Sequence, residues 1–261
     1  MATIGTGYEN FVLENKMTDL VNTNLDVNAL FTVDNSLATE AGLDKVINKY
    51  TYTGKVEQLA KGAKNSTRGA VSFVPEKYTV KRYQQTFDYN DMDIMQDPYL
   101  LDVATAGAAV VMANEIKEEY FAELAKISKT HQYTTFNYDA VVDALAEIGK
   151  EVEDGMFIIM GTDLRAAIRK DADYKASRQG EILYSGQFGT ISGVPCLFSK
   201  LCGAGEAFIS AKDQVKFFVK KDGSVEQDRD IETKDNTVVY ERHGVMALVD
   251  ETKSIKLAKK A

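Results

Sequence analysis

One stretch, residues 97–128, constrains the fold of this chain more than any other, because it predicts a single long helix. Asp97 suits the N-cap, and Pro98 suits the first helical position, where a missing N–H costs nothing. At ~1.5 Å per residue this helix would be on the order of 45 Å long, so we expect a spine that spans a whole domain. Its buried face is predicted from apolar residues that recur every three or four positions: Leu101, Ala104, Ala108, Met112, Ile116, Tyr120, Leu124 and Ile127.

The bulk composition argues against several classes of protein. With 261 residues, the chain can form one large or two modest domains with a sizeable core. Its start shows no secretory signal, and the longest small apolar run, residues 105–113, is far shorter than the ~20 residues that cross a bilayer. Cys196 and Cys202 are too few for a disulfide framework and fit a reducing compartment. The net charge of −8 argues against general affinity for nucleic-acid phosphates.

Residues 1–30 predict an arm without a long, regular hydrophobic period. Apolar side chains are scattered among Asn, Asp and Glu, and such a segment becomes ordered by lying on something else. Residues 36–49 suggest a short helix or turn. The apolar residues of the arm are Phe11, Met17, Leu20, Val21, Leu25 and Leu30.

Residues 50–88 predict an extended, two-stranded projecting loop. Two segments rich in Thr, Val, Tyr and Phe flank a flexible, turn-rich tip at residues 61–69. Because an isolated hairpin is marginal in water, we expect this one to pack on a neighbour.

The charges of this loop favour docking between subunits. Between residues 52 and 86 only Glu57 and Glu76 oppose the basic side chains. The alternative is an ordinary solvated basic hairpin. The predicted intersubunit contacts of the loop are Lys55, Lys61, Lys64, Arg68, Lys77, Lys81 and Arg82. Their predicted acidic partners are Asp91, Asp93, Asp97, Asp102, Glu115 and Glu119.

The remainder of the chain mixes helices and strands. A helix capped near Asn137 or Asp139 precedes a buried-strand pattern at 156–160, and Thr162 can cap the next helix. Residues 171–186 read as a surface loop, and several short strands follow. The order predicts an α+β fold without internal repeats.

No motif predicts catalysis, a cofactor or a bound metal. His131 and His243 are far apart in the sequence, and the two cysteines lack the usual zinc spacing. There is no Gly-rich phosphate loop and no dinucleotide fingerprint. Acidic pairs such as Asp91 with Asp93, or Asp228 with Asp230, could bind a hard cation but are more simply solvated. We therefore expect a structural protein rather than an enzyme.

The order of parts resembles the major capsid proteins of tailed bacteriophages, which have the Hong Kong 97-like fold. The resemblance covers nearly the whole chain and is carried by YTVKRYQQTFDYNDMDIMQDPYLLDVATAGAAVVMANEIKEEYFAEL, GTISGVPCLFSK and VEQDRDIETKDNTVVYERHGVMALVD. It implies a virion protein of the Caudoviricetes that self-assembles as pentamers and hexamers into an icosahedral shell. The shell would enclose double-stranded DNA without sequence-specific binding and would be assembled in the cytoplasm of the bacterial host.

The resemblance also implies a division of the chain into domains. The arm, 1–30, would lie along a neighbouring subunit, and the extended loop, 50–88, would reach over an adjacent one. Residues 134–225 would form an axial domain, whose loops, 171–186 among them, gather round the symmetry axes. The peripheral domain would comprise residues 31–49, 89–133 with the spine helix 97–128, and 226–261.

The resemblance implies further partners, and this sequence departs from the family pattern at its start. A scaffolding protein, a portal and decoration proteins are the partners expected from the resemblance. Many members begin with a fused scaffolding segment, whereas this sequence passes directly from Met1 into the arm, so we expect scaffolding to be separate or not needed. Covalent cross-linking through Lys61 or Lys64 is another property that the family allows.

Two other functions remain open at this stage. The first is an encapsulin-like bacterial nanocompartment shell of the same fold, which would need a groove for a cargo peptide, usually with an ordered N-terminal helix. The loose arm favours the phage shell over this alternative. The second is a soluble α+β enzyme with an unrecognised site, which predicts a monomer or a small oligomer.

Overall fold

The computed structural model describes residues 10–25, 30–149, 155–171 and 189–260. Its helices are α1 Asn10–Leu25, α2 Ser36–Thr39, α3 Asp91–Gln96, α4 Leu100–Leu124, α5 Tyr138–Ile148 and α6 Thr162–Lys170. Its strands are β1 Thr32–Asp34, β2 Asp44–Thr53, β3 Ala70–Thr79, β4 Lys81–Asn90, β5 Thr130–Tyr133, β6 Met156–Met160, β7 Thr190–Ile191, β8 Val194–Phe198, β9 Glu206–Ala211, β10 Val215–Arg229, β11 Asp235–Leu248 and β12 Ile255–Lys259. In these ranges no helix is long and apolar enough to cross a membrane.

The predicted spine is present as α4, but it is shorter than the predicted 97–128. Asp97 is the C-cap of α3, and its carboxylate accepts a hydrogen bond from the Tyr99 amide at 2.9 Å, so the chain turns before α4 begins. At the other end, the amide of Ile127 bonds to the carbonyl of Leu124, which tightens the last turn and ends the helix. The predicted face is confirmed: all of its residues are buried except Ala104, which is half-buried.

The prediction of a loose arm is wrong for residues 10–25, which form α1 on the spine of the same subunit. Leu13, Met17, Val21 and Leu25 are all fully buried in the cluster that contains the spine. Their spacing of four residues places them on one helix face. This segment therefore packs as a helix on the spine of its own subunit, instead of forming a loose arm.

A four-stranded sheet in the order β1-β10-β11-β4 packs on the spine. Successive side chains of β10 point to opposite faces, so Phe217 contacts the spine cluster and Phe218 belongs to a smaller cluster on the other face. The smaller cluster contains Leu37, Ile47, Tyr78, Phe218, Val245 and Ala247. It supports the root of the projecting loop.

A six-stranded sheet in the order β5-β12-β9-β6-β8-β7 forms the second body of the fold. Its central strand β6 is buried on both faces, as the run of apolar residues predicts. Phe157 and Ile159 face the spine cluster, whereas Met156, Ile158 and Met160 face the cluster that contains α5 and part of α6. The predicted buried strand and the two flanking helices are confirmed.

Local details of this body differ from the predictions in one respect. The side chain of Asn137 caps α5 by accepting a hydrogen bond from the Ala140 amide at 3.0 Å, as expected. Thr162 does not cap α6, because the N-cap is Gly161. The predicted surface loop at 171–186 lies outside the described residues except for Asp171.

The projecting loop is a ribbon of β2 and β3, and it does not extend to residue 88. β2 and β3 pair antiparallel from Asp44 with Thr79 to Thr53 with Ala70. β4 instead pairs with β11 over its whole length. The strand pattern of 70–89 thus belongs to two sheets, and Val80 separates β3 from β4. The predicted helix or turn at 36–49 is α2 followed by the first half of β2.

The sheets divide the chain differently from two of the predicted domain boundaries, at 133 and 225, and separate β12 from the rest of 226–261. The boundary at 225 and 226 falls inside β10, which lies wholly in the four-stranded sheet. β5 and β12, assigned from the resemblance to the peripheral domain, pair with each other in the six-stranded sheet. The reason is non-local hydrogen bonding, which composition along the chain does not reveal.

Candidate assembly surfaces

The root of the ribbon is anchored in its own subunit. Ile47 and Tyr78 are buried between the ribbon and the four-stranded sheet. The Tyr78 hydroxyl donates a hydrogen bond to the carbonyl oxygen of Leu248 at 3.3 Å, and burial raises the pKa of this hydroxyl. The first third of the ribbon is therefore part of the body.

A polar cluster adjoins this root. The Lys49 ammonium lies 2.7 Å from a carboxylate oxygen of Glu76 and 2.9 Å from one of Glu251. The other oxygen of Glu251 accepts hydrogen bonds from the amide and the hydroxyl of Ser128, at 3.1 and 2.7 Å. Burial would raise the pKa of Glu251, but the hydrogen bonds from Ser128 and Lys49 outweigh it and leave this pKa below its usual value. The pKa of Lys49 is raised, because its two carboxylate partners outweigh desolvation.

These shifts predict how the contribution of Glu251 to stability depends on pH. A carboxyl group whose pKa is lowered by folding stabilises the native state above its unfolded pKa, and this contribution is lost as the pH falls through the folded pKa. We expect the melting temperature of the wild type to exceed that of Glu251→Gln by an amount that shrinks as the solution is acidified from about pH 5 to about pH 3. Thermal unfolding of both proteins across this range measures it. A constant difference would contradict the assignment.

The distal part of the ribbon has an unpartnered aromatic face. Every residue from Tyr50 to Thr53 and from Ala70 to Pro75 is exposed. The register places Tyr50 opposite Phe73 and Tyr52 opposite Val71, so these four side chains share one face. The Tyr50 and Phe73 rings lie 5.9 Å apart, and the two side chains are 68% and 59% exposed. The alternation of aromatic and polar residues in the sequence could have predicted this face, but the predicted contacts of the loop were chosen by charge alone.

The tip of the ribbon carries free positive charge. In the part of the chain that the structure describes, the predicted contacts Lys55, Lys61, Lys64 and Arg68 are exposed and form no ion pair. The nearby Glu57 carboxylate accepts hydrogen bonds from Ser66 and Thr67 and is not within ion-pair distance of these bases, so one negative charge stands against four positive ones at the tip. Lys77, at the root, pairs with Asp44 of the opposite strand at 2.8 Å.

Lys81 and Arg82 do not lie on the projecting loop. Both belong to β4, and the Lys81 ammonium lies 2.7 Å from the carboxylate of Glu119 on the spine. The same carboxylate accepts a hydrogen bond from Tyr83, whose pKa is raised by burial and by Glu119. One predicted base and one predicted acid thus pair within a single subunit, while Arg82 is exposed.

The other predicted acidic partners fall into two groups. Asp91 pairs with Arg229 at 2.5 Å, and Asp102 pairs with Lys16 of α1 at 2.5 Å. Local structure uses two more, since Asp93 completes the capping box of α3 and Asp97 bonds the amide of Tyr99. Glu115 is exposed on the spine. Because Asp93, Asp97 and Glu115 are all exposed, they are the acids of this set best able to meet an incoming base.

The two cysteines and His131, the side chains most able to react, lie in surroundings typical of structural residues. Cys196 and Cys202 form no disulfide with each other. Burial raises the pKa of Cys202 to about 12, so its thiol stays protonated and unreactive at neutral pH. His131 lies 2.7 Å from the carboxylate of Glu147 on the surface of the six-stranded body. Among the described residues no three His, Cys, Asp or Glu side chains are grouped to hold a metal ion.

The spine helix contacts two sheets, and the described part of the chain leaves the distal half of the ribbon without packing partners in its own subunit. These features define a structural subunit suited to assembly. The phage capsid protein family model matches residues 74–257, which is more than half of the chain. The major capsid protein of Staphylococcus phage phiMR11 is 24% identical over 236 residues, covering 87% of this chain and 84% of that protein.

Solved structures show the same fold. The capsid of cyanophage P-SCSP1u has a TM-score of 0.70 at 10% identity, covering 89% of this chain and 87% of that chain. A virus-like particle from Pyrococcus furiosus has a TM-score of 0.64 at 13% identity, covering 95% and 98%. The fold is the Hong Kong 97-like α+β fold. The chain belongs to the phage capsid protein family, and its role is that of a phage major capsid protein.

Proposed function

We propose that copies of this chain assemble as pentamers and hexamers into an icosahedral head shell that encloses packaged double-stranded DNA. The observation that carries the proposal is the unpartnered aromatic face on the distal ribbon. A two-stranded ribbon is marginal by itself, and exposed aromatic side chains gain stability when another surface removes them from water. A second copy of the chain supplies such a surface wherever the shell closes.

In this proposal the parts of the subunit have separate tasks. The spine and the four-stranded sheet form the peripheral domain, and the six-stranded sheet with α5 and α6 forms the axial domain. The ribbon reaches over an adjacent subunit. The shell confines DNA by closure, so a subunit with a net charge of −8 needs no strong affinity for phosphate. The shell would be assembled in the host cytoplasm, with a separate scaffolding protein, a portal and decoration proteins as further partners.

Electron microscopy of the purified protein, with light scattering on the same sample, tests this function. We expect closed angular shells, or rings of five and six subunits. If the protein is monomeric, a candidate scaffolding protein is added. A chain that remains monomeric with its scaffold at every concentration and salt would overturn the proposal.

The charged tip leads to a second expected result. Converting Lys61, Lys64 and Arg68 together to Glu should weaken assembly, because these free bases then repel the exposed acids of a neighbour. At about 0.2–1 kcal/mol for each of three exposed pairs, the loss is about 0.6–3 kcal/mol per contact and decreases with added salt. Sedimentation measures shell yield, and circular dichroism confirms that the subunit folds.

The matched control changes the net charge equally but leaves the ribbon intact. It replaces Lys200, Lys212 and Lys260, which are exposed outside the ribbon, with Glu. Equal effects of the two triple variants on yield would show that net charge, and not the loop, governs assembly.

A second candidate function is an encapsulin-like nanocompartment shell. The ordered helix α1 favours it, since the loose arm that argued against it is not found in residues 10–25. Nuclease digestion and protein analysis of purified particles distinguish the two, because DNA inside the shell supports the phage head and a protein cargo supports the nanocompartment.

A further inference from the structure

The cluster of Lys49, Glu76, Glu251 and Ser128 lies at a particular place on the ribbon. Beyond Lys49, no residue of β2 or β3 toward the tip is buried. A cleft of about 910 Å³ separates this part of the ribbon from the body, lined by residues 48–51, 128–129 and 249–252. Within the described ranges, Lys49 is therefore the ribbon residue nearest the tip that forms an ion pair with the body of its own subunit.

The body side of the cluster lies where the two halves of the subunit meet. Ser128 is on the connection from α4, in the spine cluster, to β5, in the six-stranded sheet. Glu251 is on the connection from β11 to β12, which joins the same two sheets. One carboxylate thus ties both connections to the ribbon.

A small rotation of the ribbon about Lys49 produces a large displacement of its distal end. Four residues separate Lys49 from the end of β2, and at ~3.4 Å per residue they extend ~14 Å, so a rotation of ~20° about Lys49 moves the end of the strand by ~5 Å. Such a displacement exceeds the tolerance of a packed contact between side chains.

We propose that the Lys49–Glu251–Ser128 cluster is a fulcrum that sets the direction in which the ribbon leaves the subunit, and hence the place where its aromatic face meets a neighbouring copy. Glu76 belongs to the ribbon itself and supports Lys49 from the opposite strand. Lys49 and Glu251 are positioning residues, because they act on assembly through the ribbon. The proposal rests on the proposed shell function.

A distance measurement within one chain tests the fulcrum separately from shell formation. Spin labels are placed at Asn65→Cys on the tip and Asp228→Cys on β10, with Cys196 and Cys202 changed to Ser. Labelled chain is diluted with unlabelled chain, so that only intramolecular distances are measured in either assembly state. We expect Glu251→Gln to widen the distance distribution at least twofold.

The control is Glu76→Gln, which also removes one carboxylate from Lys49 but leaves the tie to the body. We expect its distribution to match that of the parent protein. An unchanged distribution in Glu251→Gln would overturn the fulcrum, as would equal widening in both variants. Should Glu251→Gln fail to fold, Ser128→Ala removes only the hydroxyl contact, and a smaller widening is then expected; no widening would overturn the proposal.

Shell yield is recorded on the same samples. If the distributions change as expected but the parent protein forms no shells with its scaffold, the fulcrum stands and the proposed function fails. If shells form and the distributions do not change, only the fulcrum fails.

Discussion

Replacing Tyr50 and Phe73 together with Ser should abolish shell formation while the subunit stays folded. Each aromatic side chain buried against a neighbour contributes about 1.5–3 kcal/mol, so the pair contributes about 3–6 kcal/mol to each contact. At ~1.4 kcal/mol per factor of ten, the concentration needed for assembly should rise at least ~100-fold. Light scattering against protein concentration measures this threshold.

The folded subunit should tolerate this change, because both rings are largely exposed and an exposed cross-strand pair is worth only ~0.2–1 kcal/mol. The matched control is Thr51→Ala with Ser72→Ala, a pair directly opposed on the other face of the same ribbon. It should assemble like the wild type. Wild-type assembly by the Tyr50 and Phe73 variant would show that this face is not an interface.

Met17→Ala should lower the free energy of unfolding of the dissociated subunit by about 2–5 kcal/mol. Met17 is fully buried on α1, against the spine cluster, so the substitution leaves a cavity inside one subunit. Urea unfolding at several protein concentrations measures the loss, which should be independent of concentration.

Val12→Ala is the control on the same helix, since Val12 is 45% exposed. We expect it to change stability by less than ~0.5 kcal/mol. A loss for Met17→Ala that appears only in assembled particles would mean that α1 packs on a neighbouring subunit. That result would restore the original prediction of an intersubunit arm.

The local pattern of the spine predicted its buried face but not its ends. Its face was predictable because apolar residues recur with the helical period over 25 residues, and no other conformation buries them together. Its ends were not predictable, because Asp97 was equally suited to end α3 and to begin α4. The spacing of Leu13, Met17, Val21 and Leu25 predicts α1 in the same way, but polar neighbours obscured it.

The candidate assembly surfaces, unlike the face of the spine, could not be predicted from local sequence patterns. The basic residues of 52–86 form one group in the sequence, yet β4 pairs with β11 and brings Lys81 to Glu119 of the same subunit. Among the described residues, the basic side chains of this group without an ion pair are those of the tip and Arg82. The aromatic face requires the register of β2 and β3, because a shift of one residue would place Tyr50 on the opposite side from Phe73.

Periodicity and order along the chain were enough to predict the helical spine, the burial of β6 on both faces, the projecting ribbon and the resemblance to the capsid family. The three-dimensional structure was needed to show which charges are already paired, which side of the ribbon is exposed and that the support of the ribbon ends at Lys49. These properties arise from contacts such as Lys49 with Glu251, between residues separated by some 200 positions. Their energies depend on distance in space, which local sequence does not encode.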